Sequence, residues 1–256
     1  MNAIRNATRT IFTFRWQPGL DVVAVLGSCL LVTASLYTAT IIVTPEAGGG
    51  MPYFFLYAGL TALLFGIGLP LAWMVLYRKR SIQDLGITAK YLGLSIVLQL
   101  VFSLFQYLGT LAKTDLPTWS EMLPLLGLAL AIGFFEALFW RGWVLLRLEE
   151  AFGLIPAVIL GSLLYALYHV GYGMLWAEIA FLFWIGVLYA VCFRFTRSIF
   201  ILWPVFQPMG QLVTLVRDGL HLPTIAALGF FEAWILMLVL IWLAYRYERK
   251  HKALLT

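Results

Sequence analysis

Apolar residues run along the chain in blocks of about twenty, and each block is closed by a short cluster of polar or charged residues. Helices of this length suit a hydrocarbon core about 30 Å thick. The period-two alternation of a membrane barrel is absent. The blocks predict eight spans, at roughly 20–43, 52–77, 90–112, 123–147, 154–174, 176–195, 198–215 and 223–246. Only Arg194 and Arg197 separate the sixth from the seventh. Pro204 and Pro208 make the seventh irregular, since each proline removes a backbone donor. The polar segments 78–90 and 113–122 are too short to hold a second domain. The fold class read from this pattern is an all-α polytopic membrane bundle of about eight transmembrane helices, with residues 1–256 forming one membrane domain.

Composition strengthens that reading. Hydrophobic residues make up 62% of the chain and charged residues 11%, where soluble domains carry about 25% charged. Mean hydropathy is +0.93. The charges are unevenly placed. With eight crossings, Arg5, Arg9, Arg15, Arg78, Lys79, Arg80, Lys90, Arg147, Arg194, Arg197, Arg246, Arg249, Lys250 and Lys252 fall on one side. Lys113 and Arg217 fall on the other. This asymmetry predicts cytoplasmic termini, and the compact chain fits a bacterial inner membrane. It accounts for the net charge of +5 through topology and contact with membrane lipid, so no nucleic-acid partner is expected. The first apolar run is too long for a signal-peptide core and reads as a retained helix. Cys29 and Cys192 stand alone in separate spans and suggest neither a disulfide framework nor a metal motif.

Against this background the polar residues inside the spans become candidates. They are Glu136 and Arg141 in span four, His169 in span five, Gln207 and Gln211 in span seven, and Glu232 in span eight. Intramembrane charge costs about 2.5–3.5 kcal/mol on insertion scales, so such groups usually face a bundle interior. At 1.5 Å per residue, Glu136 lies about 18 Å above the cytoplasmic edge, His169 about 22 Å, Gln207 about 15 Å and Gln211 about 21 Å. Groups from spans four, five and seven therefore reach one layer. Gln207 and Gln211, four apart, share a helix face. Glu232 lies about 14 Å below the opposite edge and can approach the same layer.

Two readings of this layer stand. In one, a carboxylate activates water as a general base while imidazole and amide groups donate to a developing oxyanion, which is amide hydrolysis in the membrane. In the other, the same groups only bond helices together. Arg141 lies about 500° around the helix from Glu136, so it is not stacked on that carboxylate; it serves a neighbouring helix or reaches toward the interface. Glu232 carries a structural or proton-linked reading as well. No HExxH occurs, and the histidines are His169, His221 and His251, so neither a metal site nor a cofactor is expected. Neither a serine-protease pattern nor a phosphate loop is present.

The motifs resemble those of the CPBP family, the CAAX-prenyl-protease and bacteriocin-processing (Abi) membrane proteins. EALFWR at 136–141 resembles its EExxxR motif, and YALYH at 165–169 its aromatic-xxx-His motif. The stretch 186–211 resembles its third region, which ends in H-x-x-x-N. The resemblance spans roughly 123–213. It implies an intramembrane endopeptidase of the glutamate type, with Glu136 as general base, His169 at the catalytic centre and Arg141 as the motif arginine. It also implies a membrane-associated protein or a prenylated or other peptide as substrate. Ala137 replaces the second motif glutamate, and Gln207 and Gln211 stand where the family has His and Asn. Glu232 is the candidate to restore a second carboxylate. These departures keep open a catalytically degenerate relative that binds or regulates a membrane protein partner. A transporter is disfavoured, since no matching broken helices recur in two halves.

Overall fold

The structure, a computed structural model, describes residues 14–42 and 50–253. Among the described residues, seven helices are long and apolar enough to cross a membrane. They are α1 (Leu20–Ile41), α2 (Pro52–Tyr77), α3 (Leu92–Lys113), α4 (Trp119–Phe152), α5 (Leu154–Tyr172), α6 (Trp176–Thr196) and the Ile225–His251 part of α8. A shorter helix, α7 (Phe206–Arg217), precedes α8, which runs over Ile225–Ala253. The described residues contain no strand. The all-α bundle expected from the apolar blocks is the fold observed.

Helix α4 is the axis of the bundle. Its apolar window is 83% buried, against 17% for α3 and 22% for α8. A helix apolar on every face must be surrounded, and the others wrap it: α8, α7 and α2 all pack on it. It begins in a capping box in which the Glu121 carboxylate accepts from the Thr118 N–H at 3.0 Å. It ends at Gly153, whose φ of 90° lets the chain turn into α5 at once. The segment before α1 covers this end, with Arg15 N–H donating to the Phe152 carbonyl at 3.1 Å and Gln17 N–H to Ala151 at 3.0 Å.

Polar contacts collect at the same end of the bundle. Asp21 accepts from Arg78 at 2.8 Å and from Trp73 Nε1 at 2.7 Å. Arg80 forms a bidentate pair with Glu150, and Glu248 accepts from the Ser81 hydroxyl and the Ile82 N–H. The start of α1 and the ends of α2, α4 and α8 therefore share one end, rich in Arg and Lys. Of the cations assigned to that side from sequence, Arg5 and Arg9 lie outside the described residues.

The segment after α2 is pressed onto α4 at Gly142. A Cβ at this glycine would collide with the Leu85 backbone carbonyl. Backbone cannot swing aside as a side-chain tip can, so Gly142→Ala is expected to destabilise by about 3 kcal/mol, the upper end of overpacking effects. Thermal unfolding in detergent checks this, with a midpoint within 1 °C of the parent contradicting it.

The seventh crossing differs from the expected continuous span at 198–215. α6 ends at Arg197, whose φ is 53°. The chain then rises through a 3-10 turn at Ile199–Ile201 and an irregular stretch before the 12 residues of α7. Twelve residues cover only about 18 Å. The cause is Pro204 and Pro208. Pro208 sits in the first turn of α7, where its missing N–H costs nothing. The irregular backbone is kept inside protein, as membrane burial requires. Ile199 N–H donates to the Gly86 carbonyl, Trp203 Nε1 to Leu130 and Val205 N–H to the Gln99 side chain.

Candidate functional site

Glu136 sits in α4 and is 1% exposed. Four donors surround its carboxylate. Oε2 accepts from Gln207 Nε2 at 2.7 Å, Gln211 Nε2 at 2.9 Å and the Tyr165 hydroxyl at 3.5 Å. Oε1 accepts from the Tyr168 hydroxyl. The broken seventh crossing brings both glutamines here. Gly133, one turn before Glu136, faces Pro208 so closely that a Cβ would lie 2.7 Å from the proline ring. That close approach of α7 to α4 puts positions 207 and 211 within reach of the carboxylate.

Helix α5 supplies the aromatic side. Tyr165, Tyr168, His169 and Tyr172 recur at i, i+3, i+4 and i+7 and so form one stripe. His169 is 4% exposed, and its Nδ1 lies 2.8 Å from the Tyr165 carbonyl oxygen. That carbonyl can only accept, so Nδ1 carries the proton and Nε2 is left as an acceptor. The imidazole does not hydrogen-bond Glu136. It packs on Tyr165 and Tyr168, with ring centroids 5.0 and 4.3 Å away, and both tyrosines donate to the carboxylate. The tyrosine series continues outward, Tyr172 exchanging a 2.8 Å hydrogen bond with Tyr57 of α2.

Beside this cluster lies a cleft of about 210 Å³ between α3, α5, α6 and α7. Gln106, Tyr165, His169, Tyr189, Gln211 and Arg217 are among its lining residues. Tyr165 and Gln211 thus face the cleft and also hold Glu136, so the carboxylate lies one side chain behind the wall.

Arg141 is 1% exposed and forms no ion pair with Glu136. Its guanidinium lies over the Tyr165 and Tyr189 rings at 4.9 and 5.9 Å, and none of its three nitrogens has an acceptor among the described residues. Of the two placements expected for it, the structure shows contact with neighbouring helices and not the reach to the interface: it stays inside, held by aromatic faces of α5 and α6. The reading of Glu232 is corrected. It is exposed on α8, whose inward face carries Phe230, Ala233 and Met237. It therefore supplies no second carboxylate. Among the described residues no group of three His, Cys, Asp or Glu side chains gathers as a metal site would, and Cys29 and Cys192 are buried and unbridged.

Tyr168, Gln106 and Tyr189 were not singled out from the sequence. The stripe on α5 was the available signal for Tyr168, since a tyrosine three after one tyrosine and four before another must share their face. Nothing in α3 or α6 marked Gln106 or Tyr189.

The fold and site together define a polytopic helical membrane protein with one carboxylate buried in a cage of hydroxyl and amide donors beside a cleft. Residues 118–206 match the family described as Rce1-like, type II CAAX prenyl endopeptidase. The match overlaps the stretch whose motifs resemble the CPBP family; it covers Glu136, Arg141 and His169 and stops just before Gln207. No curated protein and no solved structure matches the chain.

Proposed function

We propose that this protein hydrolyses a peptide bond of a membrane-associated substrate, with Glu136 as the base. The observation that carries the proposal is the family match over the stretch whose one buried carboxylate adjoins a polar cleft within the bundle. A peptide lying in the cleft meets His169 and Gln211 on its walls. Gln211 swings from Glu136 toward the substrate carbonyl, and water takes its place on Oε2. Glu136 accepts one proton from that water as the water oxygen attacks the carbonyl carbon. The oxyanion takes hydrogen bonds from the amide NH₂ of Gln211. The C–N bond then breaks, and the proton held by Glu136 passes to the leaving amine, giving a new carboxylate and a new amino terminus. The basic end of the bundle, where α1 begins and α8 ends, faces the cytoplasm. A bacterial inner membrane is the setting this topology supports.

A second reading rests on the same cage. With four donors on Glu136 and Ala137 where the motif has a second glutamate, the cluster also fits a relative that holds a membrane partner without cutting it. The two readings separate in vesicles. A peptide ending in a farnesylated cysteine and three further residues is added to the reconstituted protein, and fragments are sought by mass spectrometry. Hydrolysis predicts two fragments. Saturable binding with the peptide left intact supports the partner reading instead.

A further inference from the structure

A second cavity, of about 380 Å³, opens at the Arg- and Lys-rich end of the bundle, away from the Glu136 cluster. It lies between the segment after α2, the start of α3 and the ends of α4 and α6. Four cations line it: Lys90, Arg147, Arg194 and Arg197. Asp84 and Glu150 line it as well, but both are engaged with Arg80, which approaches Asp84 at 3.3 Å and holds Glu150 at 2.8 Å. Glu149 is shared between Arg194 and Arg197 at 3.5 and 3.6 Å, through one oxygen. One carboxylate thus faces two guanidinium groups at loose distance. Lys90 is exposed and has no carboxylate within ion-pair distance among the described residues. The cavity carries a surplus of positive charge.

Two buried polar groups strengthen the case. Arg147 is 2% exposed, held by Nη2 to the Asp84 carbonyl at 3.1 Å and by Nη1 to Glu150 at 3.0 Å, and its Nε has no partner. The Thr196 hydroxyl is 4% exposed and also has none. Both residues line the cavity. Buried donors are nearly always bonded, so unpaired donors at the wall of a cationic cavity call for an acceptor-rich anion. The rim then selects the anion's carrier. Tyr91 and Phe195 line the cavity and are exposed. Leu94, three residues after Tyr91, and Val191, four before Phe195, continue those faces along α3 and α6 and are exposed too. A phosphate in the cavity would thus have two apolar helix faces running from it into the bilayer.

We infer that this cavity is a binding site for the phosphate of an anionic phospholipid, its acyl chains lying along α3 and α6. Basic pockets between helices bind such headgroups by charge and hydrogen bonding. The site is independent of the proposed peptidase chemistry.

The test uses the full chain in phosphatidylcholine nanodiscs with increasing phosphatidylglycerol, and native mass spectrometry to count retained lipid. The parent is expected to retain one phosphatidylglycerol in preference to phosphatidylcholine. The double variant Lys90→Gln/Arg197→Gln, at exposed positions, is expected to weaken retention about twenty-fivefold, about fivefold for each cation. Arg249→Gln/Lys250→Gln removes two charges from the exposed end of α8 and is expected to leave retention unchanged. Equal retention of the two lipids, or equal loss in both double variants, overturns the site. Inorganic phosphate that displaces the lipid at millimolar concentration overturns the lipid as its carrier.

Discussion

Glu136→Gln is expected to lower the rate of peptide hydrolysis by about 10²–10⁴-fold while the protein stays folded in the membrane. The range is the usual contribution of a positioned general base. Glutamine keeps the length and volume of the side chain but cannot take a proton from water. The cage limits the structural damage. The new amide oxygen still accepts from Gln207 or Gln211, and the Tyr168 hydroxyl can turn to accept from the new amide. Stability is therefore expected to fall by about 1–3 kcal/mol, one imperfect buried contact. Glu136→Ala is worse on both counts, since it leaves every donor of the cage facing a void. The contrast between the variants separates the two roles of the carboxylate. Rates measured in vesicles, with unfolding followed by circular dichroism, give both numbers. Parent-like hydrolysis by Glu136→Gln removes the base from this position.

Arg141→Met is expected to act in the opposite direction on stability, raising the thermal midpoint. The guanidinium is buried without an acceptor among the described residues, and only the ring faces of Tyr165 and Tyr189 attend it. Cation–π contact contributes about 2 kcal/mol or more when desolvated. Desolvating the ion costs several kcal/mol. The second effect is the larger, so an apolar side chain of similar length is expected to stabilise by about 1–4 kcal/mol, as with other buried charges so replaced. Arg141→Lys keeps the charge and loses the planar stacking, so it is expected to fall below the parent. Unfolding midpoints of the three proteins in one detergent check the order Met, Arg, Lys. A lower midpoint for Arg141→Met means that the guanidinium has a partner in the membrane.

The sequence carried depth well and direction poorly. Residue counting at 1.5 Å per residue put Glu136, His169, Gln207 and Gln211 in one layer. Three of them meet directly there, and the fourth meets them through Tyr165 and Tyr168. Depth depends only on where a helix begins and on its rise. Direction depends on how each helix is rotated against its neighbours, and apolar residues on every side of a membrane helix leave no polar face to fix that rotation. Glu232 shows the difference: its depth allowed the site, and its helix turns it outward. Arg141 shows it again, since its offset from Glu136 was legible but the tyrosine pair that encloses it comes from two other helices. The seventh crossing was legible as irregular from Pro204 and Pro208. Its division into a turn and a short helix was not, because that depends on distant acceptors such as the Gly86 and Leu130 carbonyls and the Gln99 side chain.

The central claim is that the caged carboxylate activates water to cut a peptide bond. Its most direct measurement is hydrolysis of the farnesylated peptide by vesicle-reconstituted protein in water enriched in ¹⁸O, read by mass spectrometry of the products. The account predicts one ¹⁸O in the new carboxylate of the amino-terminal fragment, with product formation lost in Glu136→Gln. Peptide that stays intact while binding parent and variant equally would contradict it.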